Sequence, residues 1–133
     1  MPTQYALTDY AERKALDAVF NDSDRTYTVA LFTVTPTETT SGTEVVSTDN
    51  TGYERQTVTF SSAATVSSTT KVSNESTITF GPAKSNWGTV TGAAVFDDDG
   101  NMLVFGNFES GPVTVSTGNK VEIAAGALTI TLD

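Results

Sequence analysis

The 133-residue sequence contains no cysteine and no histidine. Without cysteine there is no disulfide, thiolate nucleophile or thiolate metal site, so stability depends on packing or on contacts between subunits. Without histidine the chain lacks the commonest general base and metal ligand, which excludes Ser–His–Asp and Cys–His catalysis. Paired carboxylates are the one catalytic device that this composition permits, and no pair stands out. We therefore predict a protein that is not an enzyme and has no cofactor or metal.

Basic residues and long apolar runs are also scarce. Seven Lys and Arg against 16 Asp and Glu give a formal net charge of −9. Such a chain repels phosphate backbones and anionic membrane surfaces, so we expect no nucleic-acid or membrane partner. No run approaches the roughly 18 apolar residues of a membrane span, and residues 1–7 do not resemble a signal peptide. We expect a protein that is made in the cytosol and stays soluble unless it leaves as part of a larger particle.

Residues 6–20 have the composition and spacing of a short helix. Good helix formers dominate the segment, and Asp9 with Glu12 three residues later has the offset of a capping box. Leu16 and Phe20 form a second apolar pair at helical spacing. The segment predicts a helix that packs on its own sheet or on a neighbouring subunit. The main apolar stripe predicted from the spacing comprises Leu7, Ala11, Ala15, Ala18 and Val19.

After residue 25 the apolar pattern changes to alternation, which is typical of half-buried strands. Turn sequences such as Asp99-Gly100-Asn101 and Gly111-Pro112 separate the segments. We predict an all-β fold, an antiparallel β-sandwich or jelly-roll-like domain of about eight strands, with a short N-terminal α-helix. Residues 1–24 form the arm and helix, and residues 25–133 the β-sandwich, of one compact domain. The polar segments 35–52 and 61–75 are predicted to be long loops.

The acidic segment Asp97 to Asn101 lies between two predicted strands. Alternate oxygen side chains at Asp97, Asp99 and Asn101 resemble the start of a calcium loop. The bidentate glutamate that such a loop needs is missing, and Asp-Gly and Gly-Asn are common in hairpin turns. A hairpin turn is therefore the preferred interpretation, with a calcium site as the alternative.

Four aromatic residues could contact a carbohydrate, because flat rings stack on sugar faces. Trp87 is one of them, and it begins a predicted strand, where it can equally close the core as a lid. Three further aromatic residues, Phe60, Phe80 and Phe96, alternate with apolar neighbours and are predicted to lie in the core. The four candidates for sugar contact are Trp87, Tyr53, Phe105 and Phe108.

Several sequence segments resemble small virion proteins of tailed bacteriophages and their prophages. Two departures, at residues 46–51 and 80–83, fall in predicted loops and leave the implied fold unchanged. The resemblance implies a virion component and no catalytic residue. Proteins of this kind are variously labelled capsid decoration or cement proteins and tail-fibre proteins. The segments that carry the resemblance are residues 8–17, 42–45, 52–60, 87–91, 96–97, 100–103 and 124–132.

The resemblance leaves two positions in the virion open. The favoured one is a capsid decoration (cement) protein on the outer shell, which binds the major capsid protein and copies of itself, as a homotrimer. The alternative is a tail-fibre or adhesin module, in which Trp87 and Tyr53 contact a host glycan. Both are made in the bacterial cytoplasm and end in the virion.

Residues near the N-terminus are the predicted contacts with other subunits or the capsid. Packing on the domain's own sheet is the alternative for the same side chains. Arg55, on a polar strand face, can pair with an acid of a neighbouring subunit, or with Glu44 or Glu54 of its own chain. The N-terminal candidates are Tyr5, Leu7, Tyr10, Leu16 and Phe20.

Overall fold

The structure, a computed structural model, describes residues 4–132, so residues 1–3 of the predicted arm and Asp133 lie outside it. The described residues form one helix and twelve strands, all paired antiparallel, which confirms the predicted sandwich-like all-β fold with a short helix. The elements are α1 (Asp9–Phe20), β1 (Tyr27–Val34), β2 (Thr43–Glu44), β3 (Gln56–Val58), β4 (Ala64–Val66), β5 (Thr69–Ser73), β6 (Ile78–Phe80), β7 (Gly88–Val90), β8 (Gly92–Asp97), β9 (Met102–Asn107), β10 (Val113–Val115), β11 (Val121–Ile123) and β12 (Thr129–Leu132).

The helix begins at Asp9 because Thr8, in extended conformation, caps it: the Thr8 hydroxyl accepts a hydrogen bond from the Ala11 amide at 3.1 Å. The sequence predicts that Thr8-Asp9 begins the helix, which is confirmed, but the cap is Thr8 and not Asp9 as the capping-box offset had predicted. The buried face is also different, because it follows Glu12, Leu16 and Phe20 at intervals of four residues. No helix in residues 4–132 is long and apolar enough to cross a membrane.

The largest sheet is built around β1. On one edge β1 pairs with β2 near its end and with β3 near its start, and on the other edge it pairs with β8, which pairs with β9. Consecutive residues Val29, Ala30 and Leu31 are all fully buried, so both faces of β1 are covered. This explains why the strand is an almost continuous apolar run.

The remaining strands form three smaller sheets. β4, β5 and β12 form one sheet, and β7 pairs with β10 and β6 with β11. The core joins these sheets to β1, because Val72 of β5, Phe80 of β6 and Val90 of β7 are fully buried in one cluster with Leu31. Leu16 and Phe20 of α1 belong to the same cluster.

Neither polar segment is wholly a loop. Residues 61–75 contain the hairpin of β4 and β5, whose two-residue turn has both Ser67 (φ 51°) and Ser68 (φ 68°) in the left-handed region. Two positive φ values define the turn type that matches strand twist, but that turn usually carries Asn or Gly, so its sequence signal is absent here. Residues 35–52 contain β2 and the buried Val45. The described residues form twelve strands where about eight were predicted, and three of the additional strands, β2, β4 and β5, lie in these two segments.

Candidate interaction surface

The segment before the helix is an exposed apolar arm, defined here as residues 4–8. Tyr5 is 91% exposed and Leu7 56% exposed, and Tyr10 in the first turn of α1 is 63% exposed. The ammonium group of Lys14 lies 5.5 Å from the centre of the Tyr10 ring. Three of the five predicted N-terminal contact residues therefore face outwards.

The other two, Leu16 and Phe20, point into the domain. The Phe20 ring meets Phe60 edge to face, with 5.4 Å between the ring centres. Both side chains are almost completely buried against strands of the same chain. They therefore pack on the domain's own sheet, which was the second of the two interpretations of these residues. The surface available to a partner at this end is the arm with Tyr10.

Polar side chains fix α1 to the hairpin of β4 and β5. The buried Glu12 carboxylate accepts a hydrogen bond from the Thr70 hydroxyl at 3.2 Å, and the Arg13 guanidinium donates to the Thr65 hydroxyl at 2.9 Å. One turn later, the Asp17 carboxylate accepts a hydrogen bond from the Ala63 amide at 2.8 Å. These contacts hold the helix in place against the hairpin.

An open apolar cleft of about 730 Å³ lies between β8 and β9 on one side and β11, β12 and the turn before β12 on the other. Among the described residues β9 pairs only with β8, and β12 only with β5, so two strands that line the cleft each have an unpaired edge. Phe105 is 41% exposed within it. The main apolar lining residues are Val104, Phe105, Val113, Ile123, Leu128 and Ile130.

Asn74 positions the wall of this cleft. Its buried amide group donates to the carbonyls of Ser76 (2.8 Å) and Ala124 (3.0 Å) and accepts from the Leu128 amide (2.9 Å). The Asn74 carbonyl also accepts a hydrogen bond from the Gly126 amide. One buried side chain thus fixes the whole turn that leads into β12.

The predicted pairing partner of Arg55 is found within its own chain. The Arg55 guanidinium makes two hydrogen bonds to the Glu44 carboxylate, at 3.0 and 2.8 Å, and lies 4.0 Å from the centre of the Phe96 ring. The Tyr53 hydroxyl donates to the same carboxylate at 2.7 Å. Burial acts to raise the pKa of Glu44, but the hydrogen bonds from Arg55 and Tyr53 outweigh it and hold that pKa below its usual range.

The two residues predicted to contact a glycan, Trp87 and Tyr53, are buried, with 6% and 3% of their surface exposed. Their rings meet edge to face with 5.5 Å between centres, and Tyr53 stacks on Phe80. The Trp87 indole donates to the Thr51 carbonyl at 2.8 Å. Trp87 is therefore the core lid of the alternative interpretation, and neither ring offers a face to a sugar.

The acidic segment forms the hairpin turn between β8 and β9. The Asp97 carboxylate accepts hydrogen bonds from the amides of Asp99 (3.0 Å) and Asn101 (2.9 Å), and chiefly the latter lowers the pKa of Asp97. Arg25 pairs with Asp98 and Asp99. Within residues 4–132 no cluster of acidic side chains is arranged to hold a metal ion. The hairpin turn preferred from the sequence is the one formed here, and the Asp97 carboxylate stabilises it.

A family model described as podophage GP4 fiber I protein gp80 matches residues 6–131, almost the entire chain. The chain belongs to this family. It is therefore a bacteriophage structural protein, and the resemblance to small phage virion proteins is confirmed. No curated protein and no solved structure matches the chain significantly.

The match to the fiber I gp80 family covers the helix and nearly all of the strands, from Ala6 in the arm to Thr131 in β12. Both the buried aromatic cluster and the open cleft thus lie inside the family domain. The sequence predicts Tyr5 and Leu7 of the arm and Arg55 as contact residues, which remains a prediction, and it gave no indication of the role of Asn74 or of the cleft. The signal for Asn74 was weak, because an Asn among Ser and Glu in a polar segment is typical of a solvated loop.

Proposed function

We propose that this chain is a fibre subunit of a phage virion, which acts by binding and assembly and catalyses no reaction. The family match carries the proposal, because it spans residues 6–131 and so concerns the whole domain. The absence of His and Cys from the sequence agrees with a role that needs no nucleophile and no general base.

The surface supports a binding role. The arm and the cleft are exposed apolar features in a chain of net charge −9. Exposed apolar patches on small soluble domains usually mark contacts with other macromolecules. Because Tyr53 and Trp87 are buried, we propose that the fibre role rests on protein contacts and does not use these two rings for glycan binding.

Virions assembled with and without the chain test the proposal. We expect a small number of copies per particle by quantitative mass spectrometry, and particles without the chain should adsorb to host cells more weakly while keeping their heat stability. Antibody labelling should mark the tail end of the particle. Hundreds of copies per virion spread over the shell, with unchanged adsorption, would contradict a fibre role.

A capsid decoration protein is the second candidate. The exposed Tyr5, Leu7 and Tyr10 favour it, since a shell contact would bury them and repeated contacts over a symmetric shell add avidity. In this role the partners are the major capsid protein and copies of the chain itself, in a trimer. Particles without the chain should then lose infectivity faster on heating or osmotic shock, and equal survival would reject this candidate.

A further inference from the structure

We propose that the arm of one copy of this chain binds as an added β-strand in the cleft of a second copy. The proposal concerns contact between copies, and it holds for a fibre and for a decoration protein alike. It joins two features of residues 4–132: the exposed apolar side chains of the arm, and an apolar cleft that is open to solvent.

The arm has the pattern of a strand. Tyr5 and Leu7 alternate with Gln4, Ala6 and Thr8, so an extended arm places its two large apolar groups on one face. None of the five residues is charged or a proline, and each of them can therefore supply both a backbone donor and a backbone acceptor. All five are exposed in the single chain.

The cleft is lined by a strand, β9, with an edge to which the arm could pair. β9 pairs only with β8 in the described residues, so the outer backbone groups of β9 are free to pair with another strand. Its six residues span roughly 20 Å and a five-residue arm roughly 17 Å, at 3.3–3.4 Å per residue. Phe105, Val113 and Ile130 provide apolar walls for the Tyr5 and Leu7 side chains.

Charge favours this segment over the acidic segments of the chain. Glu109 and Glu122 line the cleft, and a partner segment with carboxylates would be repelled there. The arm brings no carboxylate, although the chain as a whole carries 16 acidic residues. An uncharged, tyrosine-containing strand is thus well suited to this rim.

The contact area is sufficient for a stable pair of subunits. Tyr5 and Leu7 of the arm together present roughly 300 Å², since a buried aromatic side chain covers about 150–250 Å². Mutual exchange covers two arms and a similar area in each of two clefts, and so buries roughly 1,200 Å² in total, at the lower end of the range for specific interfaces. In a trimer, each arm can bind the cleft of the next copy, so that the three copies form a closed ring.

Cross-linking between chains tests this contact directly, because the natural sequence has no cysteine. Full-length Leu7→Cys protein, labelled with ¹⁵N, is mixed with unlabelled Phe105→Cys protein and treated with a short thiol-reactive cross-linker. We expect a mixed-isotope dimer whose cross-link joins residue 7 to residue 105. The matched control replaces Leu7→Cys with Val46→Cys, an equally exposed apolar position outside both the arm and the cleft, and should give little of that product.

Sedimentation velocity of the full chain gives an independent measurement. The natural protein should self-associate, and Tyr5→Ser with Leu7→Ser should raise the dissociation constant by about tenfold or more. Val46→Ser should leave it unchanged. Both changes lie outside the packed domain, so the variants should keep their fold, which circular dichroism can verify.

The outcomes separate the possible occupants of the cleft. A chain that stays monomeric and gives no 7-to-105 cross-link overturns the proposal. So does a cross-link that forms only within one chain of a Leu7→Cys/Phe105→Cys double variant at high dilution, because the arm would then fold back into its own cleft. These experiments use purified protein, and their failure would leave the proposed place in the virion untouched.

Discussion

Two apolar regions of this domain differ in exposure. In the closed region, Tyr53, Phe80 and Trp87 pack together, and hydrogen bonds to Glu44 and to the Thr51 carbonyl satisfy their polar atoms. In the open region, the arm is exposed and the apolar groups of the cleft are only partly covered, with Phe105 41% and Val113 40% exposed. The rings of Tyr53 and Trp87 can be buried because Glu44 and the Thr51 carbonyl accept hydrogen bonds from their polar atoms. We infer that the closed region stabilises the fold and the open region serves association.

The largest expected effect breaks the closed region. Trp87→Ala removes a buried ring and its hydrogen bond to Thr51, and we expect the free energy of unfolding to fall by about 3–5 kcal/mol. Urea denaturation followed by circular dichroism measures the loss. Val46→Ala, an exposed control, should change stability by less than about 0.5 kcal/mol. A loss below about 1 kcal/mol for Trp87→Ala would mean that the ring does not close the core.

The second effect concerns the wall of the open region. Asn74→Ala removes the side-chain partner of the Ser76 carbonyl and the Leu128 amide, while the Ala124 carbonyl keeps its hydrogen bond from the Ala127 amide, and the change should cost about 2–3 kcal/mol. Hydrogen exchange of the Leu128 amide should also become faster. The exposed neighbour Glu75 provides the control, since Glu75→Ala keeps the Asn74 network. Unchanged exchange at Leu128 would show that other contacts hold this turn.

The sequence predicts the parts of the fold that depend on short-range pattern. Alternation identified eight strands, and helix-forming residues identified α1. The hairpin of β4 and β5 was missed because its turn, Ser67-Ser68, contains neither Gly nor Asn. The helix face was misassigned because a buried Glu12, held by Thr70 from a missed strand, has no signal in a hydrophobic pattern.

The site was less predictable than the fold. The pairing of Arg55 with Glu44 was one of the alternatives that the sequence offered. The cleft depends on the pairing of β12 with β5, whose residues Ile130 and Val72 are far apart in the sequence. The periodicity of apolar residues indicates which face of a strand is buried, but it does not indicate which strand edges remain unpaired.

A smaller effect should appear as pH dependence in the closed region. The pKa of Glu44 is below its usual range in the folded chain, so its ion pair with Arg55 adds stability above the ordinary glutamate pKa of 4.5. That contribution is lost as pH falls through the depressed pKa. The pair is partly exposed, and we expect it to contribute up to about 1 kcal/mol.

Glu44→Gln measures this contribution. The stability difference between the natural chain and the variant should be constant above about pH 5 and should shrink towards zero at lower pH. Val46→Ala, at an exposed position without a titratable group, is the control, and its stability difference from the natural chain should not vary with pH. A difference for Glu44→Gln that does not vary with pH would mean that the pair adds no charge-dependent stability.

The smallest effect concerns the hairpin that supports the helix and, through it, the base of the arm. Ser68 has φ of 68°, a conformation that costs a non-glycine residue about 1–2 kcal/mol, whereas glycine adopts it freely. Glycine also makes the unfolded chain more flexible, at a cost of about 0.5–1 kcal/mol, so Ser68→Gly should raise the free energy of unfolding by about 0.5 kcal/mol. Ser62→Gly, at an exposed position outside the positive-φ region, should instead lower it slightly. Thermal denaturation of both variants gives the comparison. If Ser68→Gly is destabilising, the turn does not hold Ser68 in the left-handed conformation, and the register of β4 and β5 under the helix must be different.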